Sequence, residues 1–298
     1  MESKNVIVIG AVNVDICGRP KNRLNMRDSN PGEVSFAPGG VGRNIAHNLR
    51  LLGVGVKFIA AIGTDVYGES IRQSCVELGM DMSLAKRVEG GRTSSYVYIC
   101  DEAGDMAVGV SDTDIAASID PEYLSMHIDE INRADAVLFD GNLPAETVRW
   151  IGEHVTAPLY ADPVSATKAE RLKPALHKLC AFKPNDVEAM SMTGAESPEK
   201  AAEALLAAGV KRVFVSLGAD GIIAAENGAR IMLPCVETEL VSANGAGDAA
   251  MAAIVWAGIN NLPLEAAAKT ALKAAAFAIK CGETVNPRLT VQEIVATD

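Results

Sequence analysis

Short apolar runs, each too brief for a helix, recur between longer stretches of helical periodicity, and this alternation constrains the fold more than any other feature. The runs include Val6–Ile9, Phe58–Ile62, Ala136–Phe139, Leu159–Ala161 and Val213–Leu217. The helical stretches include Glu69–Leu78, Pro121–Asn132, Ala145–His154, Pro198–Ala208, Asp248–Ala257 and Leu264–Lys280. Several open near Pro, Ser or Asp and are followed by Gly, as helix starts and stops require. The pattern predicts a layered α/β fold: a mostly parallel sheet with covering helices. With 298 residues and 49% hydrophobic content, the chain has enough material for a sizeable core.

Two stretches break the rhythm, Val14–Phe36 and Thr93–Val110. In the second, Tyr96-Val97-Tyr98-Ile99 and Met106-Ala107-Val108 flank a turn at Asp101–Asp105. Together they predict a small β layer outside the main sheet, a discontinuous lid over the strand ends where open α/β sheets bind ligands. No repeat or linker divides residues 1–298, so a single domain carrying this lid (about 14–36 and 93–110) is expected. An exposed edge or face on the lid suggests pairing with a second copy, a homodimer.

A formal charge of −11 excludes a long basic surface for nucleic acid or anionic membrane, which leaves small-molecule partners. The six cysteines, at 17, 75, 100, 180, 235 and 281, form no C-x-x-C pair and have no histidine at zinc-ligand spacing. They read as free thiols of a reducing cytoplasm. The four-residue apolar run near the start falls short of the ~7–15 of a signal-peptide core. No later run approaches the ~20 apolar residues of a membrane span.

The strongest local signal is Asn244-Gly245-Ala246-Gly247-Asp248-Ala249, small residues leading into a helical run. Free N–H groups at a helix N-terminus attract phosphate, and the lack of bulky side chains allows close approach. A carboxylate in the first turn can accept the proton of an attacking hydroxyl while those N–H groups steady phosphoryl charge. Asp248 is the candidate catalytic base, with Gly245, Ala246 and Gly247 as the anion hole. The helix N-terminus is expected to lower its pKa, so that placement counts for more than basicity. The competing reading is a tight turn followed by an Asp that stabilises the helix dipole.

A second cluster, Pro38-Gly39-Gly40-Val41-Gly42-Arg43-Asn44, leads into an apparent helix, Ile45–Leu52. It lacks the third small residue of a dinucleotide fingerprint, and the chain contains no G-x-x-x-x-G-K-[ST]. Rossmann oxidoreductases and ordinary P-loop enzymes are therefore excluded.

These two glycine motifs, in this order and with Asn13-Val14-Asp15 after the first strand, resemble the ribokinase-like (PfkB) carbohydrate and nucleoside kinase family. Lys183-Pro184-Asn185-Asp186-Val187-Glu188 is similar to its N-x-x-E motif, and Ser216-Leu217-Gly218-Ala219-Asp220-Gly221 to its nucleotide-binding strand and turn. The resemblance spans nearly the whole chain. It implies a three-layer α/β/α domain with a small β-sheet lid, ATP as phosphoryl donor and Mg2+. Asp28–Gly32, Pro38–Ala46, Thr93–Tyr96 and Asp162–Ala166 resemble the family's pseudouridine kinases, so the implied reaction is γ-phosphate transfer from ATP to the 5′-hydroxyl of pseudouridine. Another nucleoside or sugar acceptor is the nearest alternative. A non-catalytic nucleoside sensor is a further one, opposed by the intact Gly245–Asp248 motif.

The resemblance assigns Asn13, Asp15, Gly40 and Asn44 to ribose hydroxyls and Arg43 and Lys183 to local positive charge. Asn185 and Glu188 fall to the magnesium and phosphate network, and Ser216, Gly218 and Gly221 to the adenine nucleotide. Ser29 and Asn30 offer donors and acceptors for a uracil edge. Ser95, Asp112, Asn142 and Lys168 are further pocket candidates, with solvated surface roles as the alternative. Where many relatives carry Thr before the anion hole, this chain has Asn244. An activating monovalent cation (K+) drawing on this loop is therefore left open, with backbone carbonyls as the remaining ligands.

Overall fold

The computed structural model describes residues 4–295; the ends of the expected domain, 1–3 and 296–298, lie outside them. The first strand, β1 (Asn5–Ile9), is apolar on both faces, as a strand covered on both sides must be. Val6 and Val8 enter one core and Ile7 and Ile9 the other, so the two-residue period of a single strand feeds two helical layers. Along the chain follow β2 (Asn13–Pro20), β3 (Gly32–Gly39), β4 (Gly55–Ile59), β5 (Ala61–Gly63), β6 (Lys86–Val88) and β7 (Ser95–Cys100). Then come β8 (Met106–Asp112), β9 (Ala136–Asp140), β10 (Leu159–Asp162), β11 (Leu179–Phe182), β12 (Arg212–Ser216), β13 (Ile222–Glu226) and β14 (Ala229–Leu233).

The main sheet has the order β14-β13-β12-β11-β10-β9-β1-β4. Its pairs are parallel from β4 through β12, and β13 and β14 add an antiparallel edge hairpin. The chain leaves β1 to one side for β4 and returns on the other side as β9, which makes β1/β9 the switch point of the sheet. Ligands of open α/β sheets lie beyond the carboxyl ends of the strands at such a point. Gly10-Ala11, Asp140-Gly141-Asn142, Asp162, Lys183 and Ser216 all stand at or just past those carboxyl ends.

Four strands form a separate sheet, β3-β2-β7-β8, in which β2 and β7 run parallel and the outer pairs antiparallel. Its pleat separates two chemistries. Asp15, Cys17, Tyr96 and Tyr98 share one face, while Ile16, Val34, Phe36, Val97, Val108 and Val110 share the other.

The helix Ala246–Ile259 is apolar nearly all round and packs between the helices Val41–Leu51 and Leu264–Ala278, as a buried helix does. Most helix bounds differ from expectation by one to three residues, within the scatter of fraying ends. Pro121–Asn132 is instead two short helices, Pro121–Ser125 and Ile128–Asn132. Between them His127, with φ −117° and ψ 8°, leaves the helical region, and its ring packs edge-on against Tyr123. None of the described helices is long and apolar enough to cross a membrane.

Candidate active site

Asp248 lies in the first turn of the helix Ala246–Ile259, and the N-cap is Gly245 in the left-handed region, φ 79°. A side chain there is impossible: a Cβ on Gly245 would sit 1.7 Å from the Thr284 carbonyl. Gly245 has no side chain with which to cap the helix, so the first-turn N–H groups are left without a side-chain cap. Glycine at 247 keeps this approach low. The nearest atom to a Cβ placed there would be the Lys183 Nζ, at 3.6 Å. A cation therefore stands beside the helix N-terminus, and Lys183 is itself buried against Asp162 at 3.6 Å.

The Asp248 residue keeps some solvent contact, yet protein packed around its carboxyl pushes its pKa up to about 7. Burial is the main cause, reinforced by the like charges of Asp162 and Asp140 and opposed by the Asn44 hydrogen bond and by Lys183. The lowering expected from the helix N-terminus is thus overturned, because desolvation and two neighbouring carboxylates outweigh a partial positive charge. A carboxyl poised near neutrality can hold or take a hydroxyl proton.

The first glycine cluster reaches the same place. Asn44, buried in the first turn of the helix Val41–Leu51, donates from Nδ2 to Asp248 Oδ2 at 2.9 Å. Gly40, at φ 100°, admits no side chain, since a Cβ there would lie 2.6 Å from the Ala11 carbonyl oxygen. Asn13 donates to Asp15 at 2.5 Å, and burial raises the Asp15 pKa against the pull of Asn13 and Arg43. Arg43 is itself buried beneath the loop, with long bonds to Pro38 O (3.3 Å) and Asn44 Oδ1 (3.4 Å). Burial lowers its pKa.

Asn185 and Glu188 form a reciprocal capping box, with bonds of 2.8 and 2.7 Å. This satisfies the helix Asp186–Thr193 and leaves less of either side chain for a metal. Burial raises the Glu188 pKa, while the Asn185 N–H and Lys183 oppose it. No group of three or more metal-ligating side chains occurs among the described residues. These residues would suit a cation held mainly by phosphate oxygens and water, which Glu188 would reach through water. Asn185 also bridges to Ser216 across the strand ends, and Gly218 and Gly221, at φ 60° and 100°, turn the chain back towards β13.

Lys168 donates to Asn142 at 2.5 Å, which brings these two candidates together. Burial lowers the Lys168 pKa against the attraction of Asp140. The site does not gather Ser95 and Asp112. Register pairs Ser95 with Val14 and with Asp112, on the face opposite Asp15 and Tyr96, and Asp112 is bonded to Arg92. Asn30 spends its amide on Asn25 and Asp28 within its own loop, where Ser29 donates to Asp28.

A family model for pfkB carbohydrate kinases matches residues 3–291. The chain belongs to this family. It is 34% identical to a pseudouridine kinase of Escherichia coli strain K12, over 99% of this chain and 96% of that one. It is 30% identical to an uncharacterized sugar kinase of the same organism, over 99% and 83%. A ribokinase from Thermotoga maritima superposes with a TM-score of 0.86 at 23% identity, covering 99% and 98%, so the fold is ribokinase-like. As a pfkB kinase, the protein is a phosphotransferase with an alcohol group as acceptor.

Two carboxylates that act electrostatically on Asp248, Asp140 and Asp162, are not among the site residues that the sequence predicts. Each closes an apolar parallel strand, β9 or β10, at its carboxyl end. A charge in that position of a buried strand was the signal available. After Asp162, Val164 adopts φ 67°, and Ser165 N–H bonds the Pro163 carbonyl at 2.7 Å across it. This is a strained γ-turn centred on a β-branched residue.

Proposed function

We propose that the protein transfers the γ-phosphate of ATP to the 5′-hydroxyl of pseudouridine, giving pseudouridine 5′-phosphate and ADP. The observation that carries the chemistry is a carboxyl near neutrality, Asp248, beside a glycine-capped helix N-terminus and a buried lysine. The likeness to the Escherichia coli pseudouridine kinase supports the acceptor.

In this reading Asn13, Asp15, Gly40 and Asn44 hold the ribose, and Asn44 also orients Asp248. Asp248 takes the proton of the 5′-hydroxyl as its oxygen attacks phosphorus, and the bond to the β-phosphate oxygen breaks. The N–H groups of Ala246, Gly247 and Asp248, with Lys183, hold the charge that spreads over the phosphoryl oxygens. Ser216, Gly218 and Gly221 border the adenine nucleotide. Magnesium supplies charge neutralisation on the phosphates when bound, and Asn185 and Glu188 hold its waters. Arg43 supports the glycine loop from beneath and reaches the acceptor only through it.

The small sheet serves as the lid, with Asp15, Tyr96 and Tyr98 on its inner face and the loop carrying Ser29 and Asn30 at one end. Lys168, Asn142 and that loop are the groups offered to the base. Pseudouridine has one more ring N–H than uridine, so an acceptor aimed at it is left unpaired by the wrong nucleoside. The outer apolar face of the lid supports a homodimer, and six free thiols among the described residues suit a cytoplasmic enzyme.

ADP release measured with pseudouridine, uridine, adenosine, ribose and fructose 6-phosphate tests the acceptor. The highest kcat/KM is expected with pseudouridine; preference for any other compound replaces it.

A further inference from the structure

Asp140 lies at the carboxyl end of β9 and is 0% exposed, so no ligand can touch it. Its Oδ2 accepts from the N–H of Ala11 at 2.9 Å and of Gly42 at 3.1 Å, and its Oδ1 from the N–H of Asn142 at 2.9 Å. Three donors converge on a single side chain and use both of its oxygens as acceptors, an arrangement that suits the ionised form best. A buried charge without partners is costly, and charge-assisted bonds of this kind are what make it tolerable. Burial pushes the pKa up, and the N–H groups of Ala11 and Asn142 pull it back.

Two glycines make the space. A Cβ on Gly10 would lie 2.4 Å from Oδ2, and one on Gly42 would lie 3.0 Å from it. The three donors also belong to three segments remote in sequence. Ala11 leads directly into Asn13 and Asp15, and Gly42 lies between Gly40 and Asn44. Asn142 holds Lys168. Apart from the turn that carries Asp248, the segments proposed to contact the acceptor from the body of the protein thus meet at one carboxylate.

We infer that Asp140 is a positioning residue that fixes the relative placement of the three acceptor-binding segments. The inference rests on the proposed location of the acceptor site, not on which acceptor fills it. Asparagine cannot replace the carboxylate, because its amide nitrogen would face a backbone donor. Alanine at position 10 displaces the carboxylate without removing it.

The test uses Asp140→Asn, Asp140→Ala, Gly10→Ala and the double variant Gly10→Ala/Asp140→Ala, assayed with whichever acceptor the wild-type protein phosphorylates fastest. An error in acceptor identity therefore shows in the substrate panel and leaves this result intact. Asp140→Asn and Gly10→Ala should each raise the KM for the acceptor roughly tenfold or more, with the KM for ATP nearly unchanged. In the Asp140→Ala background the two closest contacts of the new methyl are gone and only the Gly42 Cα, at 3.2 Å, remains, so Gly10→Ala should add little, a strong non-additivity. A parallel rise in both KM values, an unchanged acceptor KM, or simple additivity overturns the inference. If Asp140→Ala does not fold, Gly10→Ala alone decides by the split between the two KM values.

Discussion

Asn44 and Asp248 are 204 residues apart in sequence and are joined by a hydrogen bond of 2.9 Å. The bond links the glycine cluster that opens one helix to the glycine cluster that opens another. It also helps to set the acidity of the proposed base, because a donor to the carboxylate favours its charged form.

Replacing Asn44 with Ala removes that donor, so the Asp248 pKa should rise above its present value of about 7. The acid limb of kcat/KM should move to higher pH, and the acceptor KM should rise because Asn44 is also proposed to hold the ribose. A pH–rate profile of the variant against the wild type reads both. An unmoved acid limb would separate Asn44 from the base.

Asp248 itself links activity and stability with opposite signs. Its folded pKa, about 7, exceeds the ordinary carboxylate value of an unfolded chain, so the native state binds this proton more tightly. The associated stability is full below about pH 4 and is lost as pH rises through about 7, while kcat/KM rises over the upper part of that window. Asp248→Asn should lower turnover by about 10²–10⁴-fold with acceptor affinity kept within a few-fold. It should also flatten the fall in stability between those pH values. Denaturant titrations at several pH values, beside calorimetric binding, measure both effects.

The glycine turn and the place of Asp248 in the helix it opens were legible in the sequence because a turn and its helix are local. The setting of Asp248 was not, since its acidity is set first by burial and then by Asp162 and Asp140 on two other strands. Asp140 is 129 residues from Ala11 and 98 from Gly42, so nothing adjacent in sequence marks those two bonds. Ser95 and Asp112 show a related limit: side chains alternate along a strand, and one residue of register decides which face they occupy. The main parallel sheet was readable from strands apolar at successive positions. The edge hairpin β13–β14 was not singled out, because Ala229–Leu233 is largely exposed and gives no such run.

Val164 holds φ 67° between Asp162 and Lys168, and for a β-branched residue that conformation costs roughly 1–2 kcal/mol. Val164→Gly should relieve the strain at some cost in unfolded-state entropy, a net gain of about 1 kcal/mol and roughly 2 °C in Tm. The freed turn should position Lys168 less well and raise the acceptor KM. Val164→Asn, which tolerates the left-handed region, should keep more of the wild-type KM. A fall in Tm for both variants would mean that packing of the isopropyl group outweighs the strain.

The apolar face of the small sheet has the composition of an interface. Phe36 is 60% exposed and Val110 67%, and strand pairing places them on one side with Val34, Val97 and Val108. An exposed apolar patch of this kind suits a contact surface, and a two-fold axis would set the patch against itself. Light scattering at micromolar concentration should therefore give the mass of a dimer for the wild type. Phe36→Lys together with Val110→Lys should give a monomer, because two charges per chain would have to be desolvated in the interface. Both positions are exposed within one chain, so the substitutions should leave its Tm, read under dissociating dilution, nearly unchanged. A wild-type monomer, or a dimer that survives both lysines, would place any self-association on another surface.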